Sequence, residues 1–122
     1  EYRHDAPNTY AGGAAALTEL MDLAQPPTAI VAPTDVLAMG MLHEADQRGL
    51  HVPRDLSISG FDDIPEAAYT VPALTTVRMP TSAMVLAAVD LAIGRDEVLG
   101  DFHPLLEPDL VVRETTGPAP GN

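Results

Sequence analysis

Thr28-Ala29-Ile30-Val31-Ala32-Pro33-Thr34-Asp35-Val36-Leu37-Ala38-Met39-Gly40 is the stretch on which the fold turns. Its first five residues form a short apolar run without polar alternation, the pattern of a strand buried on both faces of a parallel sheet. Pro33-Thr34 ends the run. Asp35 stands where a helix N-cap belongs, and Ala38, Met41, Leu42 and Ala45 then line one face of a helix that stops at Gly49. Upstream, Leu17, Leu20, Met21 and Ala24 recur at three- and four-residue steps. That spacing predicts an amphipathic helix from about Asn8 to Ala24, capped by Asn8 or Thr9 and halted before Pro26-Pro27. Downstream, the turn Val52-Pro53-Arg54-Asp55 leads into a second strand, Leu56-Ser57-Ile58-Ser59-Gly60, followed by Phe61-Asp62-Asp63 and a helical turn around Pro65 to Tyr69. Pro72 introduces a third extended segment, Leu74-Thr75-Thr76-Val77-Arg78. Thr81 is expected to cap a further helix with Val85, Ala88, Val89 and Ala92 on one face and Gly94 at its end, and Asp109-Leu110-Val111-Val112-Arg113 is a last extended piece. Strands alternating with helices mean crossover units, so the class is α/β with a mostly parallel sheet.

The chain has 122 residues, 46% of them hydrophobic, enough for one domain with a real core. Eighteen acidic side chains against six basic ones give a formal charge of −12, which argues against direct contact of this chain with DNA, RNA or an anionic membrane. All six basic residues are arginine. The absence of cysteine removes disulfides, thiolate nucleophiles and Cys-ligated metals. No apolar run is long enough to span a membrane, and Glu1-Tyr2-Arg3-His4-Asp5 lacks the layout of a secretory signal. Residues 1–116 read as one domain, and Gly117 to Asn122, rich in Gly and Pro, as a disordered tail.

In open α/β sheets, ligands sit outside the carboxyl ends of the strands, where loops converge. Three loops here leave such ends: Pro33-Thr34-Asp35, Phe61-Asp62-Asp63 and Met79-Pro80-Thr81. Together they offer carboxylates, a hydroxyl and one of the chain's few aromatic rings, a set that suits a neutral polyhydroxylated ligand. Asp62-Asp63 reads as ligand acceptors, a catalytic or metal-binding pair, or a solvated turn. An adjacent pair of this kind divides its labour, with Asp62 toward the crevice and Asp63 capping. Asp35 reads as a cap or a crevice carboxylate, and Phe61 as core or stacking platform.

Enzyme readings find little support. His43-Glu44 begins like a zinc-protease helix, but the position four residues after His43 is Gln47. His4, His51 and His103 are isolated in loops, no Gly-x-Ser-x-Gly elbow surrounds a serine, and no lysine exists to build a phosphate loop. No metal, cofactor or catalytic residue is assigned.

At His51-Val52-Pro53-Arg54-Asp55-Leu56-Ser57-Ile58-Ser59-Gly60-Phe61-Asp62-Asp63 the chain resembles the LacI/GalR family of bacterial transcription regulators. The resemblance extends to Thr28–Ala32 with Asp35-Val36-Leu37-Ala38-Met39-Gly40, to Pro72-Ala73-Leu74-Thr75-Thr76-Val77-Arg78-Met79-Pro80, and to Leu110-Val111-Val112-Arg113-Glu114-Thr115-Thr116. It implies the C-terminal portion of a type I periplasmic-binding-protein-like effector domain, with helices on both faces of the sheet, corresponding to roughly the last third of such a regulator. Implied partners are a small sugar-like effector, a second copy in a homodimer, and operator DNA reached through an N-terminal head outside this chain; the implied location is cytoplasmic, with no membrane contact. By resemblance Asp62 bonds ligand hydroxyls or ring nitrogens, Phe61 stacks, and Thr34, Asp35 and Met79 line the site. Thr34 replaces the family's usual Asn and Met79 a frequent Gln, so the contact set is less polar. Met39, Leu42, Tyr69 and Thr70 fall on the implied dimer face. The alternative is a periplasmic sugar-binding protein of the same fold. A lobe separated from its sheet neighbours is also expected to self-associate or exchange elements.

Overall fold

The computed structural model describes residues 5–93 and 106–119. Tyr2, His4, Gly94, His103 and the last three tail residues, all named above, lie outside them. Eight elements follow in order: α1 (Tyr10–Met21), β1 (Ala29–Val31), α2 (Asp35–Gln47), β2 (Ser57–Ser59), a 3-10 turn (Pro65–Ala68), β3 (Thr76–Arg78), α3 (Thr81–Ala92) and β4 (Asp109–Val111).

Thr9 caps α1, its side chain accepting from the Gly12 amide at 3.0 Å. The helix ends at Met21, three residues short of expectation. Its end is marked by Asp22, whose amide donates to Thr18 O and whose carboxylate accepts from Arg48 at 2.9 Å. The Pro26-Pro27 pair beyond it keeps the preceding residue out of helical geometry. α2 packs closely on α1: a Cβ on Gly13 would meet Leu37 O, and one on Gly40 would meet Tyr10 O, each at 2.1 Å. Only glycine permits that approach.

β1 and β2 pair in parallel, Ala29 with Ser57 and Val31 with Ser59. Parallel bridges Ser59–Thr75 and Asp62–Arg78 bring the β3 segment alongside β2, and β4 closes the other side of β3 antiparallel, with Thr76 opposite Val111. The three segments read as parallel neighbours are therefore adjacent, and their carboxyl ends lie on one edge.

The core lies between α1, α2 and these strands, with Leu17, Leu56, Ile58 and Leu74 fully buried. Truncating one of them to alanine would cost about 2–5 kcal/mol. β1 departs from the double-faced burial expected of it. Ile30 points into the core, but Val31 is 82% exposed because no described element covers the other face. α3 departs further. Pro80, not Thr81, stands at its N-cap without a side-chain cap bond, and none of its residues is buried. Its apolar side chains stand largely in solvent, Leu86 at 66% and Val89 at 49% exposure among them. Beyond β4 the chain returns to β2: Thr115 O accepts from the Ile58 amide, and the Gly117 amide donates to Ser57 Oγ at 3.1 Å.

Candidate ligand-binding site

Backbone bonds lace the three strand-end loops together. The Asp35 amide donates to Phe61 O at 2.8 Å and the Asp62 amide to Val77 O at 2.9 Å. Thr34, Phe61, Asp62 and Met79 thus share the carboxyl edge, as the order of elements predicts. Among the described residues, concavities of about 630 and 490 Å³ are lined by other side chains.

Two of the expected roles are corrected. The N-cap of α2 is Thr34, not Asp35: Thr34 Oγ1 accepts from the Leu37 amide at 3.3 Å and donates to Asn8 Oδ1 at 2.6 Å. Asp35 is the first helical residue and is fully buried, so it cannot line a crevice. Its Oδ1 accepts from Thr76 Oγ1 at 2.5 Å and its Oδ2 from the Ile64 amide at 2.9 Å. The carboxylate therefore pins β3 and the loop after Asp63 onto the start of α2. Gly60 makes room for it, since a Cβ there would lie 2.2 Å from Asp35 Oδ1.

Asp63 does not cap the helical turn after it. That turn begins at Ile64 without a side-chain cap. Asp63 instead clamps two guanidinium groups, Oδ2 accepting from Arg78 Nε and Oδ1 from Arg113 Nη2, both at 2.6 Å. Arg113 also donates to Leu74 O at 2.7 Å. Burial pushes the Asp63 carboxyl up, but the hydrogen bonds and charges of Arg113 and Arg78 outweigh it and hold it below the usual aspartate range.

Asp62 is left free by this division. It is exposed, and no hydrogen bond to its carboxylate is made among the described residues. Partial removal from water, with the nearby Asp35 charge as a second cause, holds its carboxyl above the ordinary value. Its backbone has φ 118°, and that of Asp63 φ 55°. A non-glycine residue at φ 118° is strained by about 1–3 kcal/mol, and strain of this kind collects at ligand sites. An exposed carboxylate without a hydrogen-bond partner among the described residues, next in sequence to the half-buried Phe61, is equipped to accept from ligand hydroxyls.

Residues 1–116 match the family described as periplasmic binding protein-like domain. The chain belongs to that family. Among relatives of this periplasmic-binding-protein-like chain are the HTH-type transcriptional regulator MalR of Streptomyces coelicolor, 44% identical over 93% of the chain, and the HTH-type transcriptional repressor CytR of Escherichia coli, 37% identical over 92%. The chain spans about a third (33%) of the length of each. A LacI family transcriptional regulator from Enterococcus faecium with bound ribose superposes with a TM-score of 0.76 at 28% identity, covering 93% of this chain and 42% of that one. The curated relatives are HTH-type transcriptional regulators and the solved neighbour is a LacI family one, in keeping with the four ordered motifs.

In this periplasmic-binding-protein-like chain the residues expected at a partner surface also gather. Met39, Leu42 and Thr70 line the 490 Å³ groove with Tyr10 and Val71, and Tyr69 stands beside them 85% exposed. Sequence reasoning missed Thr76, Gly60, Arg78 and Arg113, the residues that hold the two aspartates in their roles. Arg78 and Arg113 each end an extended segment, and that shared position was the signal available.

Proposed function

We propose that the chain is the effector-binding and dimerisation portion of a LacI-type repressor responding to a small sugar. The observation that carries the reading is Asp62: an exposed carboxylate without a partner among the described residues, held at φ 118° on the shared edge of three strand-end loops. The Enterococcus faecium structure with bound ribose, similar over nearly the whole chain, supports a sugar as the ligand class. Phe61 stacks on the sugar, Met79 and Thr34 flank it, and a second lobe completes the crevice from the opposite side. The groove lined by Met39, Leu42 and Thr70, with Tyr69 at its rim, receives the partner subunit of a homodimer.

Effector binding shifts the dimer between operator-competent and operator-incompetent states, which requires different affinities for the two. Operator contact belongs to a basic head outside this acidic chain, and the setting is the cytoplasm. Gel-shift titration of the full-length protein on its own promoter DNA, with and without a panel of neutral sugars, tests the proposal. One sugar is expected to weaken or strengthen the complex at least tenfold; no DNA binding, or binding indifferent to every sugar, contradicts it.

A further inference from the structure

β3 and β4 form a two-stranded ribbon with its root in the core and its far end outside it. At the root Thr76 and Thr115 are fully buried, and side-chain bonds tie the returning chain to the outgoing one. The Thr75 amide donates to Thr115 Oγ1 at 2.9 Å, the Arg113 amide to Thr75 Oγ1 at 2.9 Å and the Ala73 amide to Glu114 Oε2 at 3.0 Å. At the far end Arg78 stands opposite Asp109, and both are exposed. The chain then enters α3, none of whose residues is buried.

Asp63 sits where the ribbon leaves the core. Its carboxylate holds Arg78, the last residue of the outgoing strand, and Arg113, just past the returning one, each at 2.6 Å. The neighbouring Asp62 is joined to the same strand, its amide donating to Val77 O at 2.9 Å and its backbone bridging to Arg78. Asp62 and Asp63 follow one another at φ 118° and 55°. A single peptide unit therefore connects the exposed carboxylate of the ligand edge with the clamp on the ribbon.

We infer that Asp63 is a positioning residue that couples a ligand on Asp62 to the angle at which the β3–β4 ribbon carries α3 away from the core. The inference rests on the ligand reading given above and adds the route by which that ligand is felt. Two successive residues at positive φ have few other backbone states to adopt. A movement that brings the Asp62 carboxylate onto ligand hydroxyls thus turns the Asp62–Asp63 peptide and re-aims the Asp63 carboxylate. Charge-assisted bonds from both strands make that carboxylate a firm attachment, and α3 begins at Thr81, close beyond Arg78. Asp63 itself touches no ligand.

Gel-shift titration of the full-length protein on its own promoter DNA, with and without the sugar to which the wild type responds, is paired with calorimetry of that sugar in the absence of DNA. The sugar is expected to change operator affinity about tenfold or more in the wild type and about threefold or less in Asp63→Asn, while its own affinity stays within about fivefold. A merely structural role weakens sugar binding and sugar response together, and that outcome overturns the inference. An undiminished response in folded Asp63→Asn also overturns it and leaves the ligand reading intact; a wild type that responds to no sugar overturns both. Where circular dichroism shows Asp63→Asn unfolded, Arg78→Gln takes its place, since that side chain is 55% exposed and Arg113 still neutralises Asp63. An undiminished response there is equally contradictory.

Discussion

The Thr76 hydroxyl donates to Oδ1 of Asp35 across 41 residues of chain, with both side chains fully buried. A buried carboxyl group in that position is tolerable because its oxygens are occupied, one by this hydroxyl and the other by the Ile64 amide. The bond also joins the third strand to the first strand's exit loop. The edge that presents Asp62 is built on that join.

Thr76→Val keeps the shape and deletes the donor. Urea unfolding should show a loss of about 1–3 kcal/mol, the cost of leaving a buried acceptor unsatisfied. Thr76→Ser should recover most of it. Equal stability of Val and wild type would mean that the carboxylate does not depend on this hydroxyl.

Gly60→Ala places a methyl 2.2 Å from Asp35 Oδ1 and 3.1 Å from Leu74 Cδ2. One contact is a fixed carboxylate and the other a buried core residue, so neither can give freely. Overpacking of this kind costs about 1–3 kcal/mol, which a lowered thermal midpoint would report.

Acid stability follows from Asp63. Its folded carboxyl titrates below the ordinary aspartate value of 3.8, so the unfolded chain binds the proton first as pH falls. The stability it contributes is thus fully present above that value and lost as pH drops through the folded one. Asp22 and Asp55 are lowered by Arg48 and Arg54 in the same direction, so the informative quantity is the difference between proteins. Asp63→Asn should be less stable at pH 7, and the gap should close on acidification. A gap independent of pH would show that the two arginines do not hold this carboxylate in its charged form.

Asp62→Gly relieves a backbone at φ 118°, a region glycine enters freely. Relief of about 1–3 kcal/mol exceeds the roughly 0.5–1 kcal/mol entropic cost of glycine, so the variant should unfold at higher urea concentration than wild type. A functional carboxylate held against its own backbone preference explains why the residue there is not glycine. A destabilised variant would remove that explanation.

The 122-residue chain should self-associate. Val85, Leu86, Val89 and Leu91 on α3 are 49–66% exposed, and Val31 on the bare face of β1 is 82% exposed. Contiguous apolar surface of this kind associates in water. Light scattering should give a mass above 12.9 kDa that falls when Leu86 and Val89 are changed to Glu. A monodisperse monomer at high concentration would contradict the expectation.

Element order and the strand-end loops were legible because apolar periodicity and turn residues are local properties. Asp62 was legible as the outward member of its pair for the same reason: it follows a strand directly. The partners of Asp35 and Asp63 were not, because Thr76, Arg78 and Arg113 reach them across 15 to 50 residues of chain. Which hydroxyl or guanidinium meets a given carboxylate depends on strand register, which pattern reading does not supply. The exposure of α3 was hidden differently. Its spacing states that an apolar face exists, and only tertiary context states whether anything covers it.

The central claim is that Asp62 carries the ligand. Isothermal titration of the full-length protein with a panel of neutral sugars, wild type against Asp62→Ala, tests it most directly. Loss of one or two charge-assisted hydrogen bonds, each about 1.5–3 kcal/mol, predicts affinity lower by about tenfold or more for whichever sugar the wild type binds. Unchanged affinity of the folded variant for that sugar would contradict the account.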